Sequence, residues 1–213
     1  MTKKSRKKKI NPRLVGYDAI APEYEKFYGN NPIQLELIYW LSKNLSIGSK
    51  ILDIGSGNGK PTAKKLVELG FQVVGIDNSN RMIELAKSNV PQAEFINMNL
   101  KRFSFALDEF DAITAFFSLL HIQRGIFNRT VKKILSSLKK GGIFIVSMVE
   151  NDVDGEDFFM GQKMYFNAYP RNKFKEILEK TLELEIIECK IVDFQPRLPN
   201  VPIETQLFYI TRK

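Results

Sequence analysis

The side chains that could do chemistry are two strand-end acids, a set of glycines, one histidine and one cysteine. The apolar run Ile51-Leu52-Asp53-Ile54 leads straight into Gly55-Ser56-Gly57-Asn58-Gly59. Glycines here let the backbone take positive φ and leave no Cβ between the turn and a ligand. A strand, a glycine turn and a helix in that order offer N–H groups and the positive end of a helix dipole to a polar ligand. Asp53 qualifies this. A carboxylate at the strand end repels a pyrophosphate, so the ligand carries a positive group or hydroxyl and amine donors. Asp77 closes the next apolar run, at about the 20-residue spacing of an acid that holds ribose hydroxyls. Its plainer reading is a helix-start acid favoured by the dipole. His121 is the only histidine and follows the fourth apolar run. It is a candidate general base, or else a polar residue hydrogen-bonded to backbone. Glu150 is a second candidate. Cys189 lies in an expected strand and reads as a small core hydrophobe. One Cys and one His do not furnish a structural zinc set, so no metal is expected.

These residues need a frame, and periodicity supplies one. Gly16 to Tyr28 is aromatic and acidic, and Pro22 is expected to break it into a loop and a short helix. Tyr17 and Tyr24 read equally as a lid over a site or as packing. Pro32 opens a helix to about Leu45, with Ile33, Leu37, Trp40 and Leu41 on one face. Apolar runs at 51–54, 72–76, 110–117 and 143–148, with 94–99 as a strand and its exit loop, read as five strands. Helices fall between them, one starting near Pro61 and stopping at Gly70, one capped by Ser79, and one closed by Lys139, Lys140 and Gly141-Gly142. Strands alternating with helices imply a parallel sheet covered on both faces. Glu150 to Pro170 shows little periodicity and reads as a functional loop or short helices. Leu184 to Phe194 and Glu204 to Thr211 read as two closing strands. Their connection is too short for a helical crossover, so they pair antiparallel.

Composition sets the bounds. The chain has 213 residues, enough for one α/β domain with a sizeable core. No apolar run reaches a membrane span, and the basic start is not followed by the apolar stretch of a signal peptide. A lone cysteine suits a reducing cytoplasmic setting. The formal net charge is +8, but seven positive charges precede residue 14, leaving the remainder close to neutral. Residues 1–14 therefore read as a basic, disordered tail, and 15–213 as one domain. That domain has a helical lid over 15–46 and an insertion over 150–170. The tail could meet nucleic acid, a reading not favoured because no aromatics interleave the charges.

At this point the residues carry a resemblance. Leu52-Asp53-Ile54-Gly55-Ser56-Gly57-Asn58-Gly59, then Asp77, then Asp111, resembles the class I S-adenosylmethionine-dependent methyltransferases of small-molecule type. The resemblance runs over roughly residues 16–213 in element order. It implies a three-layer, Rossmann-like α/β fold whose seven-stranded sheet is mostly parallel with an antiparallel last strand. It implies S-adenosyl-L-methionine as cofactor. Asp53 and the turn of Gly55, Ser56, Gly57 and Gly59 would cradle the methionine portion. Asp77 would hold the ribose hydroxyls, with Asn78 beside them, Met82 against the adenine and Asn99 accepting from its amino group. Phe116 and the residues to His121 would border the methyl donor. A cofactor with a sulfonium, an amine and a diol, and no pyrophosphate, suits the two acids. The competing readings are a nicotinamide dehydrogenase, whose glycine spacing differs here, and a non-catalytic nucleotide- or partner-binding domain.

For the methyl acceptor, residues 116–119 read Phe-Phe-Ser-Leu. They lack the Pro-Pro-Tyr-type turn of amino-methylating nucleic-acid enzymes of this superfamily. The expected acceptor pocket comes from 17–28, 117–121 and 150–169, with Tyr17, Tyr24, Glu150 and Tyr165 as substrate-binding candidates. Their aromatic content fits a mostly apolar small-molecule site. The expectation is therefore methyl transfer to a small molecule, with RNA or protein as the alternative. The oligomeric state is left open.

Overall fold

A computed structural model describes residues 16–28, 31–197 and 201–213; the basic head expected over residues 1–14 lies outside them. The strands are β1 (Lys50–Ile54), β2 (Gln72–Asp77), β3 (Glu94–Asn97), β4 (Phe110–Ala115), β5 (Leu138–Val149), β6 (Val153–Phe159), β7 (Gln162–Ala168), β8 (Glu185–Phe194) and β9 (Glu204–Arg212). The helices are α1 (Tyr17–Tyr28), α2 (Pro32–Asn44), α3 (Thr62–Glu68), α4 (Asn80–Asn89), α5 (Arg124–Leu135) and α6 (Arg171–Glu176).

Seven strands form one sheet in the order β3-β2-β1-β4-β5-β9-β8. β1 to β5 pair parallel, while β9 runs antiparallel to both β5 and β8. Two apolar layers cover the sheet. Leu37, Leu41, Leu66 and Ala86 from α2, α3 and α4 pack on Ile51, Val73 and Ile145. Phe127, Val131, Ile134 and Phe174 from α5 and α6 pack on Leu52, Ile113 and Phe144. Buried parallel strands with this alternation hold register, because a one-residue slip exchanges the two layers.

Local chemistry sets the helix ends. Asn31 caps α2, accepting from the Ile33 and Gln34 N–H groups, and Pro32 takes the first turn. Gly70, at φ +86°, ends α3; its N–H reaches Val67 and the Phe71 N–H reaches Leu66. Asp111 sits at the amino end of β4, accepting from the Lys50 N–H and pairing with Lys139, far along the strand from the glycine turn.

Four expectations need correction. Pro22 does not divide residues 17–28, which form one helix with the proline inside it. Gly141-Gly142 does not end a helix before a separate strand; β5 begins at Leu138, and its register against β4 jumps between Phe110 and Ala112. Gly141, at φ +75°, accommodates that bulge. The stretch after Glu150 is neither loop nor helix but an antiparallel hairpin, β6–β7, outside the main sheet. Cys189 is exposed on edge strand β8, not in the core.

Candidate active site

Two adjoining cavities open at the carboxyl ends of β1 and β4, where the strand order reverses. They measure about 340 and about 400 Å3 and share Tyr17, Tyr24, Gly55, Gly57, Phe116 and Phe117. Into the smaller point Asp77, Asn78, Met82, Met98, Asn99 and His121. The larger runs from Asp53 and Ser56 out to Asn31, Gln34, Glu204 and Gln206.

The glycine turn lets the loops converge. Gly55 has φ +69°, and a Cβ there would fall 2.2 Å from the Ser118 Cβ on the loop after β4. Gly57, at φ +53°, donates its N–H to Asp77 Oδ2 at 3.0 Å. Gly59 lines neither cavity. It backs onto Val90 and Phe95, so its small size serves packing of the turn against α4.

Asp53 is buried, and its Oδ1 accepts from the Thr114 hydroxyl at 2.8 Å. Its Oδ2 has no hydrogen-bond partner among the described residues, and neither do Ser56 Oγ and Ser118 Oγ. Burial pushes the Asp53 carboxyl up to about 7; the Thr114 bond opposes this and the nearby Asp77 charge adds to it. Asp77 is also raised by burial, against the N–H groups of Ser79, Gly57 and Asn78. An unpartnered buried carboxylate oxygen and two hydroxyls beside a Cβ-free turn suit a ligand rich in N–H donors and carrying positive charge. That is the chemistry of the methionine end of S-adenosylmethionine. Asn99 caps the short turn 100–102, its Oδ1 accepting from the Lys101 N–H, at the far end of the smaller cavity.

His121 ends a one-turn helix after β4. Its Nδ1 lies 2.9 Å from the Tyr165 carbonyl oxygen and its Nε2 2.9 Å from the Tyr17 hydroxyl. A carbonyl only accepts, so Nδ1 carries the proton and Nε2 receives the tyrosine O–H. Burial pulls the imidazole down to about 4, which keeps it neutral.

Helix α1 and the hairpin form a roof. Asp18 Oδ1 accepts from the Ser79 hydroxyl at 2.5 Å and the Arg81 N–H at 3.0 Å. Glu25 accepts from the Asn58 amide at 2.8 Å, which pins α1 to the glycine turn. Tyr17 meets Tyr24 edge-on at 5.5 Å, and the Phe159 ring sits 6.3 Å from both. Phe166 closes the chain of rings against His121 at 5.2 Å. Arg124 holds the hairpin's base, donating to the Val153 and Ala168 carbonyls at 3.0 and 2.7 Å and to Asn167 Oδ1 at 3.1 Å.

Two substrate-binding candidates are placed differently. Glu150 lines neither cavity; its carboxylate is taken up by the Arg171 guanidinium at 2.7 and 2.6 Å, at the foot of α6. The Tyr165 side chain turns away to Asp154, and only its backbone carbonyl reaches the site. Met98, Gln34, Glu204 and Gln206 enter the linings without having been singled out by sequence. Gln206 accepts from the Asn31 amide at 2.7 Å and Gln34 donates to Thr62 at 2.6 Å. These pairs join positions remote in sequence and carry no local signature.

Comparison with known proteins decides the family. A family model described as a methyltransferase domain matches residues 51–142. The domain that includes these residues is a class I S-adenosylmethionine-dependent methyltransferase domain. It is similar to an uncharacterized methyltransferase of Synechocystis sp., 34% identical over 104 residues, covering 48% of this chain and 49% of that protein. It is also similar to a carboxy-S-adenosyl-L-methionine synthase of Campylobacter fetus, 36% identical over 158 residues, covering 69% and 65%. Among solved structures, a SAM-dependent methyltransferase of Methanosarcina mazei superposes with a TM-score of 0.69 at 19% identity, over 86% of this chain and 98% of that one. That last likeness speaks for the fold alone. The chain spans about half the length of most curated relatives it matches. As in other class I methyltransferases, the cofactor is S-adenosylmethionine. The nicotinamide alternative also fails on topology, because a dinucleotide-binding sheet continues parallel beyond β5, where this sheet turns antiparallel.

Proposed function

We propose that this protein transfers the methyl group of S-adenosylmethionine to a small-molecule acceptor. The observation that carries the reading is the pair of adjoining cavities that share Tyr17, Gly55 and Phe116 in their walls. The smaller suits an adenosine, with Asp77 at the ribose hydroxyls, Asn78 beside them, and Met82 and Asn99 around the base. Asp53, Ser56, Gly55 and Gly57 suit the amino-acid end. When bound, the cofactor supplies a methyl carbon made electrophilic by its sulfonium.

The chain's own residues then position and dehydrate. Phe116 and Phe117 wall the junction, while α1 and the hairpin cover it, so water is displaced from the reacting groups. Neutral His121 holds the Tyr17 hydroxyl at the junction of the two spaces. Where an acceptor must lose a proton, this pair is the candidate to receive it. The roofed 400 Å3 space favours a metabolite-sized acceptor over a folded macromolecule. RNA or protein as acceptor rests on the basic head, outside the described residues.

No helix among the described residues is long and apolar enough to cross a membrane. The test is transfer of labelled methyl from S-adenosylmethionine in a cell extract divided into metabolite, RNA and protein fractions. Label in the metabolite fraction is expected; label confined to RNA or protein contradicts the acceptor class.

A further inference from the structure

One hydroxyl at the site has no structural duty. Ser118 occupies the N-cap position of the one-turn helix that ends at His121, where a serine side chain commonly accepts from a free backbone N–H. It makes no such bond. Its Oγ is buried without a hydrogen-bond partner among the described residues, and Ser118 lines the smaller cavity. An unpaired buried hydroxyl is unfavourable until a ligand takes it up.

The backbone is strained to put it there. Phe117, just before it, lies at φ +53°, in the left-handed region that a bulky side chain rarely enters. Two contacts fasten it. Its N–H donates at 2.9 Å to the hydroxyl of Ser147, a buried residue of β5. Its ring meets Phe208 edge-on at 5.5 Å. The turn brings Ser118 against Gly55, with Ser118 Oγ 3.1 Å from the place a Cβ would occupy there.

Gly55, Phe116 and Phe117 each line both cavities, so Ser118 stands among the shared residues. In S-adenosylmethionine the sulfonium sulfur joins the adenosyl and amino-acid portions. On the reading that puts adenosine in the smaller cavity and the amino-acid end at Asp53 and Ser56, that sulfur falls beside Gly55. A desolvated hydroxyl oxygen stabilises a positive charge that it faces. We infer that Ser118 Oγ faces the sulfonium and favours the charged donor over the neutral thioether product, and that Ser147 positions it through the Phe117 N–H. This rests on the reading of the smaller cavity as the cofactor site. The preference serves turnover, because S-adenosylhomocysteine must leave after each transfer.

The test is calorimetric titration of S-adenosylmethionine and S-adenosylhomocysteine, separately, into the full chain and its variants. Ser118→Ala is expected to weaken S-adenosylmethionine about tenfold and S-adenosylhomocysteine by less than about twofold. Ser147→Ala is expected to narrow the preference for S-adenosylmethionine in the wild-type background and to narrow it no further beside Ser118→Ala. Equal loss for both ligands in Ser118→Ala, loss for neither, or loss for S-adenosylhomocysteine alone overturns the role of Ser118 while the cofactor reading stands. An unchanged preference in Ser147→Ala, or the same narrowing in both backgrounds, overturns the role of Ser147. Failure of S-adenosylhomocysteine to bind the wild type overturns the cofactor reading, and this inference with it.

Discussion

At the residue scale, Asp53 carries the most informative physics. Its carboxyl titrates near 7 in the folded protein, against 3.8 when exposed. Between those values the folded protein keeps a proton that the unfolded chain has released, so its contribution to stability falls as pH rises from about 4 to about 7. Asp53→Asn should therefore stabilise the ligand-free protein, by a margin that grows across that window and is constant above it. Thermal melts of both proteins at a series of pH values check this; a margin independent of pH contradicts it. The same charge is what the cofactor's amine pairs with. Cofactor affinity should fall as pH drops below about 7, and Asp53→Asn should weaken it about 100-fold at pH 8 and flatten the profile. His121 makes a second residue-scale case. With its imidazole held near 4 and bonded to Tyr17, His121→Ala and Tyr17→Phe should each lower kcat by about 10- to 100-fold for an acceptor that must lose a proton. Cofactor affinity should change little, and full turnover in either variant removes the pair from the chemistry.

At the scale of elements, the cofactor side was legible because its signals are local. Asp53 with the glycines, and Asp77 with the Ser79 cap, each lie within one strand and its exit loop. The acceptor side was less legible, for physical reasons. The β6–β7 turn is Met160-Gly161, both residues at positive φ, as a two-residue hairpin turn demands. Asn-Gly or Asp-Gly would have announced it, whereas Met carries no turn signal. The burial of β7 also lacks clean alternation, since Met164, Asn167 and Ala168 are all buried. Glu150 looked like a candidate base because its partner Arg171 lies across the hairpin, and no sequence spacing shows that closure. The hairpin's base depends on Arg124. Arg124→Ala should loosen the roof, raising KM for the acceptor several-fold and speeding amide exchange across 153–168, with cofactor binding retained. Unchanged exchange in the hairpin would show that Arg124 does not hold it.

At the scale of the whole molecule, the reversal of strand order between β1 and β4 creates the crevice, and the antiparallel β9 closes one flank of it. The order of elements showed this sheet, including the short connection that makes the last two strands antiparallel. What pairs α2 with β9 through Asn31 and Gln206, and so shapes the acceptor cavity, is long-range packing that no local pattern records. If the smaller cavity is the cofactor site, Asp77 and the Gly57 N–H it accepts from organise it. Calorimetric titration of S-adenosylhomocysteine into the wild type and Asp77→Ala tests that claim most directly. One molecule should bind per chain, with affinity reduced at least about tenfold by the substitution, as expected for loss of charged hydrogen bonds to a diol. Absence of binding to the wild type, or equal affinity in the two proteins, would contradict it.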